Sequence, residues 1–135
     1  MKIDGGCHCG HITYEAEADP ESVGICHCTD CQTFSGSAFR IGIPVQEADF
    51  KLLSGAPKTY VKTAESGGKR AQVFCPECGT HIYSTSVDPG PGRVFRIRVP
   101  TTRQRNELPP KRQGWTRSAQ HWLGDIATLP AREKQ

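Results

Sequence analysis

A chain of 135 residues suits one domain built around one core. Its apolar share is only 36%, and it holds 14 glycines and 10 prolines, a mixture that disfavours a helical bundle and favours short strands joined by turns. The formal charge is a modest +3, no apolar run approaches the roughly 20 residues of a membrane helix, and Met1–Gly6 carries no apolar leader. A cytoplasmic protein is expected from these features, and there clustered cysteines mean metal more often than disulfide.

In chain order, Gly5 and Gly6 precede a first cysteine pair, Cys7-His8-Cys9, and Gly10 follows it. Residues 11–17 alternate, with Ile12, Tyr14 and Ala16 on one face, as a half-buried strand does. Residues 19–22 form a turn, and 23–25 form a short strand leading into Cys26-His27-Cys28-Thr29-Asp30-Cys31. After Cys31 a helical turn is expected, ending at Gly36 and capped by Thr29 or Asp30. Residues 38–43 alternate again with Phe39, Ile41 and Ile43 inward, and Pro44 is expected to end that strand. Further strands are read at 50–53, 59–62, 70–74, 81–84 and 95–99. In the last of these, Arg96 and Arg98 fall on the outer face. Between Arg93 and Arg117 there are eight basic residues against one acid, Glu107; this reads first as a solvated face, and more sharply as a site for carboxylates. Trp115 and Trp122 are expected to anchor the tail against the core, and residues 130–135 to fray.

The chemistry sits in the seven cysteines. Their odd number forbids complete pairing within the chain, and three thiols within six residues can converge on one soft ion. Zinc takes four protein ligands in structural sites and three plus an open position in catalytic ones. Cys7, Cys9, Cys75 and Cys78 are read as a closed site, and Cys26, Cys28 and Cys31 as an open, catalytic one. A C-x-C pair reaches one ion only if the backbone turns, which the flanking glycines permit; His8 then points away. Closure of the open site by His27, wedged between two ligands, would be strained, while His81 or His121 could supply a fourth ligand from elsewhere. Seven thiolates and two Zn²⁺ lower the formal charge by three, to about neutral, which removes the bulk-charge argument for nucleic-acid binding.

Gly5-Gly6-Cys7-His8-Cys9-Gly10, Cys26-His27-Cys28-Thr29-Asp30-Cys31 and Cys75-Pro76-Glu77-Cys78-Gly79-Thr80 together resemble the glutathione-dependent formaldehyde-activating enzyme family, whose domain is shared with centromere protein V. The resemblance spans about residues 4–125, so residues 1–135 are expected to form a single zinc-binding domain of this type. It implies a mainly all-β, Mss4-like arrangement of small coiled sheets with a short irregular or helical tail. It implies one structural zinc on Cys7, Cys9, Cys75 and Cys78 and one catalytic zinc on Cys26, Cys28 and Cys31. The implied activity is that of a carbon–sulfur lyase, read in the direction that condenses glutathione with formaldehyde. A three-thiolate zinc with a free position would hold a substrate thiol as a nucleophile; its strongly donating ligands disfavour the Lewis-acid alternative. Arg40, Arg96 and Arg98 are candidates to orient the carboxylates of glutathione. Many members of the family carry a basic residue straight after the third central cysteine, where this chain has Gln32.

The expected partners are a small-molecule thiol and an aldehyde, with neither nucleic acid nor membrane; a homo-oligomer is compatible with the sequence. The main alternative is a non-catalytic binding module with two structural metal sites. A metal-free Cys28/Cys31 dithiol is disfavoured because no thioredoxin-type βαβ pattern surrounds it.

Overall fold

The computed structural model describes residues 1–135. The chain forms ten strands and one α-helix: β1 (Lys2–Gly6), β2 (Thr13–Glu17), β3 (Gly24–Cys26), α1 (Thr29–Ser35), β4 (Arg40–Gln46), β5 (Phe50–Ser54), β6 (Lys58–Thr63), β7 (Lys69–Phe74), β8 (His81–Ser86), β9 (Val94–Arg98) and β10 (Arg112–Gly114), with short 3₁₀ turns between them. They assemble into a three-stranded sheet, β1-β2-β5, and a seven-stranded sheet, β10-β3-β4-β9-β8-β7-β6. All pairings are antiparallel except β10 on β3. The core lies between the sheets. Ile3, Ile12 and Tyr14 meet Ile43, Val45, Ile82 and Ile97 there, and Phe50 stacks against Tyr14. No helix is long and apolar enough to cross a membrane.

The mainly β expectation holds, and the predicted alternation of Ile12, Tyr14 and Ala16 is that of a strand whose inward side chains are all buried. Four details differ. The glycines before Cys7 belong to a strand, because Gly5 and Gly6 pair with Tyr14 and Thr13; a glycine pair carries no period-2 signal. Pro44 does not end β4, which runs on to Gln46. Its neighbour β3 pairs only with residues 40–42, so at Pro44 only the β9 side is paired and the missing N–H breaks no ladder on the other. Arg98 is not on a solvated face: only 8% exposed, it donates to Gln72 Oε1 at 3.0 Å and Ser84 Oγ at 3.5 Å. The tryptophans do not anchor the tail in the core either. Trp115 is 47% and Trp122 44% exposed, and the tail is fixed instead by β10.

The two faces of the seven-stranded sheet differ sharply. Ile25, Ile41, Ile43, Phe95 and Ile97 fall on one, toward the core. On the other, cross-strand partners place Cys26 beside Arg40, a glycine pair Gly24–Gly42 between Arg112 and Arg98, and Arg96 between Pro44 and Ser84. The second face is where the chemistry gathers.

Candidate metal centres

The closed cluster is assembled by two tight turns. Between β1 and β2, Cys7 N–H donates to Ile12 O at 3.0 Å, Gly10 N–H to Cys7 O at 3.2 Å, and Ile12 N–H to Cys7 Sγ at 3.2 Å. Gly10 sits at φ +84°, a conformation that costs glycine nothing and folds the C-x-C back on itself. Between β7 and β8, Gly79 N–H donates to Cys75 O and Cys75 N–H to Thr80 O, both at 2.9 Å, with Gly79 at φ +77°. The Thr80 hydroxyl ties the turns together: it accepts from His8 N–H at 3.1 Å and lies 3.2 Å from Cys78 Sγ. That hydroxyl, with the backbone around it, pulls the Cys78 thiol down to about 5. Cys7 and Cys75 are buried within the core cluster itself.

All four sulfurs lie within 4.8 Å of one another, with Cys7–Cys9 at 3.6 Å and Cys9–Cys75 at 3.8 Å. A tetrahedral zinc with Zn–S bonds of about 2.3 Å has sulfurs about 3.8 Å apart, so the donor set fits that ion in number, chemistry and spacing.

The open cluster is set by the start of α1. Cys28 is the helix N-cap, and its sulfur accepts from Cys31 N–H at 3.3 Å. The helix therefore begins three residues before the expected turn and contains Cys31, because a thiol here takes the capping role expected of Thr29 or Asp30. Gly36, at φ +63°, ends it as expected. Cys26, at the end of β3, completes a group whose sulfurs also lie within 4.8 Å; all three residues are half-buried and none belongs to the core cluster. Arg40, the cross-strand partner of Cys26, donates Nε–H to Cys31 Sγ at 3.2 Å. Hydrogen bonding from Cys26 first, and then the charge of Arg40, push the Cys31 thiol down to about 4, while Cys26 is pushed up beside it.

No histidine joins this group. His27 is buried with its ring turned away, Nε2 lying 2.9 Å from Gln113 Oε1 on β10, and its backbone N–H donates to Gly114 O. His81 stacks on Phe74 and meets Phe34 at a tilt, and His121 is exposed. No further Cys, His, Asp or Glu joins the three sulfurs. Gln32, in place of a basic residue, holds α1 to the tail. Its amide donates to His27 O at 2.7 Å and Ser118 O at 3.0 Å, and its Oε1 accepts from Gln120.

Two clefts flank the three cysteines. One, of about 360 Å³, reaches Cys26 and is lined by Arg40, Arg96, Arg112 and Trp115; the other, of about 320 Å³, reaches Cys28 and is lined by Asp30, Lys62, Glu65 and Trp115. Arg98 faces a third cleft of about 420 Å³ together with Arg40, Phe34, Phe39 and His81. Of the three arginines expected to serve the site, two thus reach the cleft at Cys26 and Arg98 stands apart. Arg112 belongs to the basic stretch read as a site for carboxylates, whereas nothing in the sequence marks Gln113 or Trp115 as site residues: a three-residue strand of Arg-Gln-Gly has no hydrophobic period, and Trp115 reads as a tail anchor.

The glutathione-dependent formaldehyde-activating enzyme family model matches residues 2–118. The chain belongs to that family. A Halomonas elongata protein whose name assigns it to the same family is 27% identical over 88 residues, covering 62% of this chain and 55% of that protein. The chain therefore spans about half the length of the curated relative it matches. Among solved structures, a Rhodobacter sphaeroides protein has the same fold at a TM-score of 0.62 and 19% identity, over 84% of this chain and 100% of that one.

Proposed function

We propose that this chain adds a small thiol, glutathione or a relative of it, to formaldehyde or a similarly small carbonyl at the Cys26–Cys28–Cys31 centre, as a carbon–sulfur lyase-type enzyme. The observation that carries this reading is the asymmetry of the two cysteine groups: four thiols, two of them in the core, against three half-buried thiols beside open clefts. We assign one structural zinc to Cys7, Cys9, Cys75 and Cys78, one catalytic zinc to the other three, and an Mss4-like fold to the single domain that holds both. A reduced compartment such as the cytoplasm suits seven free thiols.

When bound, the second zinc would supply an open position that lowers the pKa of an incoming thiol. The chain's own residues do the rest. Arg40 remains cationic; burial opposes its charge, and the Cys31 thiolate beside it more than offsets that. It faces both the sulfur ligands and the cleft at Cys26, so it can steady negative charge as the S–C bond forms, the C=O π bond opens and the oxygen takes the proton the thiol gave up. Trp115 walls both clefts and limits water beside the reacting sulfur. The rival reading, a binding module with two structural metals, lacks a fourth ligand at the second group.

The test is zinc per chain before and after mild chelation, followed by thiol-plus-formaldehyde turnover. Two zincs, one lost while the fold survives and lost together with turnover, are expected. Two zincs released only with unfolding, and no turnover above the uncatalysed rate, would favour the module.

A further inference from the structure

The arginine face of the large sheet lacks a counter-charge. The molecule's ion pairs engage Lys2, Lys51, Lys62, Lys111, Arg93, Arg103 and the N-terminus; Arg40, Arg70, Arg96, Arg98 and Arg112 have no carboxylate partner among them. Arg40 faces the Cys31 sulfur, Arg98 is hydrogen-bonded to Gln72 and Ser84, and Arg112 gives one N–H to Ser22 O at 2.8 Å. The Arg96 side chain makes no hydrogen bond. Partial desolvation and then the repulsion of Arg40 and Arg112 hold its guanidinium below the usual value. The cleft that gathers Arg40, Arg96 and Arg112 beside Cys26 has no acidic residue in its lining.

The floor of that cleft is bare by construction. Gly24 and Gly42 are cross-strand partners, so the row that joins Arg112 to Arg98 has no side chain in its middle. A Cβ on Gly42 would collide with Arg40 Nη1, and one on Gly24 would press on Arg112 Cγ at 3.3 Å. The two glycines are what let the arginines lie over the sheet and converge. Same-face rows of a sheet are about 7 Å apart, so the Arg112 row lies one such step from Cys26 and Arg96 one step further.

We propose that this glycine-floored cleft is a binding site for a small dicarboxylate, formed by Arg96 and Arg112 with Arg40 at its cysteine end. It takes two carboxylate groups carried on one small molecule, whether or not that molecule bears a thiol. Where the thiol reaction above operates, and only there does the inference rest on that reading, the site selects thiols with two carboxylates over neutral ones, and free dicarboxylates compete with them. Paired N–H donors in a planar fork suit carboxylates, and three guanidinium groups offer enough forks for two.

The test is calorimetric titration of the zinc-loaded full chain with succinate, which has two carboxylates and no thiol. Wild type is expected to bind it with an affinity that falls as salt rises, and Arg96→Gln and Arg112→Gln are each expected to weaken binding at least tenfold. Arg103→Gln, at the remote arginine paired with Asp4, is expected to leave it unchanged. Arg96 makes no hydrogen bond, so its variant keeps the fold, which circular dichroism checks. A second arm compares KM for mercaptosuccinate with KM for 2-mercaptoethanol, and Arg96→Gln is expected to raise only the first. Absence of succinate binding, or binding unaffected by either substitution, overturns the site. Arginine-dependent succinate binding with no turnover of any thiol upholds the site and overturns the thiol reaction instead.

Discussion

The two cysteine groups offer the same donor chemistry in opposite settings. The four-cysteine group is woven into the core: Cys7 and Cys75 are core residues, and backbone hydrogen bonds close both of its turns. The three-cysteine group hangs at the rim of the large sheet, on a helix of seven residues, with an arginine touching one sulfur and clefts on two sides. A metal in the first would hold two distant parts of the chain, residues 7–9 and 75–78, in register. A metal in the second would stitch together only residues 26–31, which adds little to stability because the loop it closes is short. On the proposed reading, burial and loop length, more than ligand identity, separate a staple from a reactive centre.

The comparison is broken most severely by Cys75→Ser, which removes a fully buried thiol from the proposed staple; no cooperative thermal transition is expected, read by circular dichroism. Gly5→Ala comes next. A Cβ there would strike the backbone carbonyl of Thr101, which cannot swing aside, so stability should fall by about 3 kcal/mol in urea unfolding. Cys31→Ser should cost less, about 1 kcal/mol, yet remove one of two zincs by elemental analysis and bring thiol–formaldehyde addition down to the uncatalysed rate. If Cys31→Ser melts as early as Cys75→Ser, the distinction between staple and centre is wrong. The mildest change is Gly42→Ala. The new methyl clashes with the end of the Arg40 side chain and otherwise makes an ordinary contact with Ile97 O at 3.4 Å, so the melt should move by less than about 1 kcal/mol while turnover falls roughly tenfold as Arg40 is pushed from Cys31. The two glycine variants thus separate a glycine needed for close backbone approach from one needed to seat a side chain.

What the sequence made legible follows from what leaves a local trace. Cysteine spacing is such a trace, and both groups form from the residues expected. The half-buried strands β2 and β4 announce themselves by alternation. What stayed hidden is non-local. Arg98 looks like any outer-face arginine until Gln72 and Ser84, two strands and one strand away, are seen to receive it in the interior. His27, disfavoured as a ligand from sequence, gives no local hint of its actual partner, Gln113, 86 residues on. Trp115 looks like a core anchor, yet it is the one non-glycine residue at positive φ, held in a left-handed conformation at the mouth of two clefts. Strain of that kind, about 1–3 kcal/mol, marks positions where a side chain must be delivered to one place.

The location of Trp115 also changes how the molecule reports on itself. Both tryptophans of the chain lie in the C-terminal tail, half-exposed, and none lies in the core. Intrinsic fluorescence is therefore a probe of the tail and of the three-cysteine site beside it, not of global unfolding. An emission-monitored melt is expected to report first on the detachment of the three-residue parallel strand at the edge of the large sheet. Optical signals that would normally be taken as redundant become, in this protein, separate readings of its two halves.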